Sequence, residues 1–375
     1  MAIPPTHRAT TRSRPPTPAA GWATRDLPTA DGRLRALWRI LIAVVASIAV
    51  VVLTDISLAF GLANTPTGYV VATLGRVVAV FGVLAVTARW LDRRRLRDYG
   101  LAGGRGWWAD LGCGAAVGLG MFALSAGAGV AAGWIEIRDT FSPAATGSLW
   151  LTLAVAILRL ASVSLWEEVL FRGVMIRNAA ESLGQRWPRT RAVLVATTIS
   201  TAVFALIHVP QHIGADDMPL ARMAIMWVSL GGLLALPYLV TGQLAVSLGL
   251  HLTINLALQH VFVLWDEQAQ HSAAILHLDA SGAELLAGVG GALQLCAIAL
   301  GYLAVLGWLR WRCGTLRIHP SLTELPTAAP ASSPAPSTAP EDTDEGPPRS
   351  DTAAIVRAGC ATLRGPRPWR GTEGP

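Results

Sequence analysis

Three short polar runs sit inside long apolar stretches and carry residue types capable of acid–base chemistry. They are Glu167-Glu168-Val169-Leu170-Phe171-Arg172, Phe204-Ala205-Leu206-Ile207-His208 and His251-Leu252-Thr253-Ile254-Asn255. An ionisable group in hydrocarbon costs several kcal/mol unless it is paired, so each run marks a candidate site. On a helix Glu168 and Arg172 are four apart, share a face and stand in the order that favours an ion pair. Glu167 is turned about 100° away and has no partner three or four residues on. One carboxylate can thus anchor the helix while its neighbour stays available as a general base. Taken singly, each run also has a plain structural reading: an ion-pair cluster at a helix end, a buried histidine bonded to a carbonyl, and hydrogen bonding between helices. Glu, His and His with Asn on three separate helices weigh against all three plain readings together.

Other polar residues are set aside. His208 and His212 are four apart, but Pro210 between them ends a helix, so a two-histidine zinc face is not supported. No HExxH run occurs. His260, His271 and His277 fall at or beyond the outer end of an apolar run and read as surface residues. Arg76 and Arg159 lie within apolar runs with no partner evident from spacing.

These runs require helices in a membrane to position them. The 375 residues are 52% hydrophobic and 14% charged, against about 25% charged in a soluble domain. Eight apolar segments, roughly 40–60, 69–91, 111–133, 149–175, 192–209, 220–240, 244–265 and 284–309, approach or exceed the ~20 residues needed to cross hydrocarbon. The expected fold is an all-α polytopic bundle of about eight spans, which excludes a soluble enzyme. All 30 basic residues are Arg, and they cluster before span one and after spans two, four and eight. That asymmetry puts both termini in the cytoplasm, and it accounts for the net charge of +6 without a nucleic-acid partner. Gly114-x-x-x-Gly118 and Gly129-x-x-x-Gly133 on span three read as close-packing signals.

Proline divides the chain: 6 of 23 lie in residues 1–33 and 11 in residues 315–375. Such segments bury too little apolar surface to offset ordering entropy. The expected organisation is a disordered cytoplasmic tail over 1–35, a membrane domain over 36–312 with its motif core at 150–260, and a second disordered cytoplasmic tail over 313–375. The four cysteines are far apart, with no CxxC or other metal spacing.

Spans four and five form a hairpin turning near Trp187-Pro188, with Glu167 and His208 each about 20 residues from the turn, so on straight helices they reach the same depth, about 30 Å from the apex. His208, however, is close to the outer end of span five, whereas His251 is only about 12 Å from the inner end of span seven. Either span five begins outside the bilayer or its apolar limits mislead.

At these residues the sequence resembles the CAAX-protease and bacteriocin-processing (CPBP) family of intramembrane endopeptidases. The family motifs are EExxxR, FxxxH and HxxxN/D on three successive helices, and here Phe171-Arg172-Gly173 completes the first. The resemblance covers about 150–260. It implies hydrolysis of peptide bonds in a membrane-embedded or membrane-associated protein or peptide. Glu167, assisted by His208, would activate water. His251 and Asn255 would donate to the oxyanion. Glu168, Arg172 and Phe204 would support the motifs. No cofactor is required in the preferred expectation; if a metal is bound, zinc held by Glu167, His208 and His251 satisfies the three-ligand rule. The all-Arg, Ala/Gly/Pro-rich composition looks like a GC-rich bacterium, so the expected location is the bacterial inner membrane. The alternative is a non-catalytic immunity or scaffold protein that binds a peptide with the same cluster. A proton-relaying transporter is disfavoured by the lack of internal repeats.

Overall fold

The computed structural model describes residues 33–59, 66–143, 148–209, 220–264 and 272–324. Most of the two expected tails, and Pro210, His212 and His271, lie outside the described residues. Ten helices follow in chain order: α1 (Ala36–Ala59), α2 (Pro66–Val86), α3 (Arg105–Ala131), α4 (Leu149–Glu168), α5 (Arg177–Gly184), α6 (Arg189–His208), α7 (Leu220–Thr241), α8 (Ala245–Leu256), α9 (Glu284–Ala287) and α10 (Ala292–Cys313). Three strands accompany them, β1 (Glu136–Ser142), β2 (Phe262–Leu264) and β3 (Ala274–Asp279).

The polytopic helical bundle expected from the apolar runs is what forms. Among the described residues, seven helical stretches are long and apolar enough to cross a membrane, one fewer than the eight expected. The difference lies in the 244–265 run. Its helix, α8, has 12 residues and one π turn (Ala257–Val261), after which the chain becomes β2. Large side chains such as Val78, Leu206 and Leu303 face outward, as a hydrocarbon solvent demands. Exposed Trp38, Trp90, Trp108 and Trp311 ring one end of the bundle, and Trp134 and Trp150 stand at the other, matching the aromatic belts of membrane interfaces.

The arginine-rich segments gather at the first of these ends. Glu181 of α5 is paired with Arg33, Arg39 and Arg94, and Asp92 with Arg39. Asn178 bonds both Arg39 and Asp92. All six side chains are buried. Burial and the adjacent Asp92 push the Tyr99 phenol well above its ordinary value, and its hydroxyl donates to that carboxylate. The ordered structure also runs past Cys313. Leu322 is fully buried, His319 donates its amide to the Leu239 carbonyl, and Arg94 bonds the Glu324 carbonyl. Arg33 and residues 314–324, assigned to the tails on composition, therefore pack on the bundle.

At the opposite end the strands form one sheet in the order β1-β3-β2, with β1 antiparallel and β2 parallel to β3. The apolar segments place β2 at the end of the seventh span and leave β1 and β3 between spans. His277 of β3, expected at the surface, is buried and bonded to Ser142; His260 is half-buried against the Ala273 carbonyl.

Because β1 follows α3 and β2 follows α8, the sheet ties these two helices together at one end. Along their length they meet backbone to backbone. A Cβ at Gly114 would lie 2.1 Å from the Val246 carbonyl oxygen, one at Gly118 2.8 Å from that of Leu250, and one at Gly249 2.1 Å from that of Leu111. The Gly114–Gly118 signal thus has a partner, Gly249 of α8. The second pair divides: Gly129 abuts Ile135, whereas Gly133 ends the helix with φ of +72°, a backbone conformation that suits glycine.

Two expectations follow. Gly249→Ala forces backbone apart and should cost about 1–3 kcal/mol, read as a lower thermal unfolding midpoint in detergent. Gly112→Ala, whose added methyl meets nothing within 4 Å, should leave the midpoint level or raised. In the sheet, bonds from the Ser281 hydroxyl and amide and from Arg138 hold the Asp279 carboxyl down to about 2. A depressed folded value means the contribution is present above about pH 4, the unfolded value, and is lost as pH falls towards 2. Pairing of β1 with β3, followed by a cross-strand spin-label distance, should loosen in that window, and Asp279→Asn should flatten the response.

Candidate active site

Glu167 and Glu168 occupy the last turn of α4, which passes without a break into a π-helical stretch, Val169–Ile176. All eight π residues are buried; such segments are frequent at functional sites. The widened turn carries Arg172 back to Glu168. Its Nη1 donates to Glu168 Oε1 at 3.0 Å, and its Nη2 to the Gly231 carbonyl of α7 at 3.1 Å. The ion pair expected from spacing is therefore present, and it is fully buried.

Glu168 has a second partner that spacing did not disclose. His251 Nδ1 lies 2.7 Å from the same Oε1 atom. A carboxylate only accepts, so Nδ1 carries the proton of this bond, and Nε2 is the nitrogen turned away from Glu168. His208, at the end of α6, is set in the same way: its Nδ1 lies 2.7 Å from the Phe204 carbonyl, which again makes Nδ1 the donor. Both Nε2 atoms turn to Glu167. Its Oε2 is 3.6 Å from His251 Nε2 and 3.9 Å from His208 Nε2, and it has no hydrogen-bond partner among the described residues. Three polar atoms, one from each motif, thus face a common point.

Residues 148–257 match the family model described as type II CAAX prenyl endopeptidase Rce1-like. The match takes in all three motifs. Over these residues the chain is similar to the CAAX protease family. The match covers less than a third of the chain, and no curated protein or solved structure matches.

The contacts around this long helix bear on the relative level of the motifs. The Leu149–Gly184 stretch is 36 residues of continuous helix, about 54 Å, too long for a bilayer of about 30 Å. The loops that end the neighbouring helices cross it part-way. Gly173 abuts Tyr99, Arg177 bonds the Asp98 carbonyl, and the Leu244 amide bonds the Gly100 carbonyl. Glu167 stands six residues to one side of that level, about 9 Å. His208, far along α6, and His251, early in α8, both lie within 4 Å of Glu167 and so share one level.

Of the remaining expected residues, Asn255 is half-buried one turn beyond His251 and makes no hydrogen bond among the described residues. Phe204 packs edge-to-face on Phe171 and holds the Arg172 guanidinium over its ring at 4.6 Å. Arg159 bonds Gln259 at 2.7 Å, which names its partner. Arg76, on α2, lies within electrostatic range of Glu167. One side chain that the motifs omit touches the site directly: Trp227 of α7 stacks on His208, with ring centroids 4.0 Å apart. With 14 Trp in an apolar chain, no sequence signal separates it from interfacial tryptophans.

Among the described residues, no three His, Cys, Asp or Glu side chains are gathered closely enough to cage a metal ion. The convergent atoms are nonetheless chemically a zinc donor set, with each imidazole held through Nδ1 as metal-binding histidines are.

The two glutamates should separate in stability. Glu168→Gln removes the charge partner of a buried Arg172 and should cost about 3–5 kcal/mol. Glu167→Gln breaks no direct hydrogen bond at Oε2 and should leave the unfolding midpoint near that of the wild type. Thermal melts of both variants in one detergent check this.

Proposed function

We propose that this chain is an intramembrane endopeptidase that hydrolyses a peptide bond of a membrane-associated protein or peptide. The observation that carries the reading is the convergence of Glu167 Oε2 with Nε2 of His208 and of His251. A water between these atoms donates one proton towards Glu167 and the other towards His208 Nε2. Glu167 takes the first proton as the oxygen adds to the scissile carbonyl carbon. General-base assistance of this kind is worth about 10²–10⁴-fold.

The negative charge that develops on the carbonyl oxygen needs donors. Asn255 supplies an amide N–H. His251 supplies Nε2–H when its ring carries both protons, donating through Nδ1 to Glu168 and through Nε2 into the site. One such donor is typically worth about 3 kcal/mol. Collapse of the intermediate breaks the C–N bond, and Glu167 returns its proton to the departing amine. Glu168 and Arg172 hold the motif without touching substrate.

The preferred reading needs no metal. If a divalent ion is bound, Glu167, His208 and His251 would hold it, and it would supply a more acidic water. The matched family model is described as a type II CAAX prenyl endopeptidase. The all-Arg, Ala/Gly/Pro-rich composition supports instead a bacterial cell membrane and an unprenylated substrate.

Membrane and secreted peptides should be compared between cells carrying wild type, Glu167→Gln or no gene, with metal content measured on purified protein. A precursor that accumulates equally in the variant and the null is expected. Wild-type behaviour of Glu167→Gln at normal protein level would sink the catalytic reading in favour of a peptide-binding scaffold. Stoichiometric zinc lost together with activity would replace the metal-free mechanism.

A further inference from the structure

We propose that Trp227 and Gly231 of α7 act as a fourth motif, Trp227-Val228-Ser229-Leu230-Gly231, that positions His208 and Arg172. The kinetic part of its test rests on the proteolytic reading; the geometric part does not.

His208 is the last residue of α6, where a helix has spent its internal hydrogen bonds and its end frays. Its Nδ1 bond to the Phe204 carbonyl selects a tautomer. The Trp227 indole restrains the plane of the ring. It lies nearly parallel to the imidazole, at an interplanar angle of 28° and a centroid separation of 4.0 Å, while Phe204 adds a tilted contact at 4.6 Å. A flat partner of that area fixes the plane in which Nε2 points, and so its line to Glu167.

Gly231 follows Trp227 by four residues and shares its face of α7. Its carbonyl accepts Arg172 Nη2 at 3.1 Å. A Cβ there would lie 3.0 Å from Thr201 Cγ2 and 3.2 Å from Phe204 Cδ1, tighter than packed atoms tolerate without shifting. The missing side chain therefore lets α7 sit close enough to α6 for the indole to reach His208 and for the carbonyl to reach Arg172. Two of the three motifs end on this one face.

The test uses the full chain in nanodiscs with ¹⁵N-labelled histidine, and the His208 signals are assigned from a His208→Gln spectrum. Wild type and Trp227→Phe should each show one Nδ1–H tautomer for His208. Trp227→Leu should give two tautomers or exchange broadening at His208, while the His251 signals stay in place. On the precursor found in the Glu167→Gln comparison, turnover of Trp227→Leu should fall by up to about 100-fold at unchanged KM, with Trp227→Phe within a few-fold of wild type. Trp227→Met carries the same comparison if Trp227→Leu does not fold. A single sharp His208 tautomer in the aliphatic variant overturns the proposal, as does a Trp227→Phe variant as impaired as Trp227→Leu. Absence of any proteolysis by the wild type would instead remove the proposed function, and the spectra would still decide the positioning role.

Discussion

A single carboxylate oxygen holds this site together. Glu168 Oε1 receives Arg172 from its own helix and His251 from α8, all three side chains almost wholly buried. A charge so deep is tolerated only when paired and hydrogen-bonded, so the fold must keep α4, the π stretch and α8 in register with one another. Arg172 extends the constraint to the Gly231 carbonyl and the Phe204 ring, which brings in α7 and α6. Glu167, adjacent in sequence, is thereby left facing the two imidazoles. The division of labour between neighbouring glutamates is a consequence of helical rotation and of which neighbour has a cation within reach.

A second buried polar cluster anchors α5 and the start of α6. Three arginines from the N-terminal segment, α1 and the α2–α3 loop converge on Glu181, and the turn after α10 packs against α5 and the start of α6 through Thr323. This anchorage adds to the packing of α6 on α7 and on the π stretch, where Ser200 bonds the Phe171 carbonyl.

What could be read from the sequence follows from which contacts are local. The pairing of Glu168 with Arg172 spans one turn and was legible; its bond to His251 crosses 83 residues and was not. The close approach signalled by Gly114 and Gly118 was legible, but its partner Gly249 lies on a helix that no spacing rule links to α3. The run Glu136-Ile137-Arg138-Asp139-Thr140 is too polar to announce a strand, and its pairing with β3 depends on where α3 and α8 end. That pairing is why His277 is buried although its neighbours in sequence look like a surface loop. The three motifs stood out because ionisable groups are expensive in hydrocarbon. Trp227 did not, because an indole in an apolar helix is ordinary.

The glycine-lined seam between α3 and α8 divides the site into unequal halves. A helix whose carbonyls rest on a neighbour's backbone cannot slide or roll without lifting off it along several turns. His251 therefore belongs to a fixed jaw, clamped by α3 on one side and by Glu168 on the other. His208 ends a helix whose last turn is held by side-chain rings rather than by backbone contact. Any adjustment of the site's width falls to that second jaw, on α6 and α7, and the position of His251 is the gauge against which it is measured.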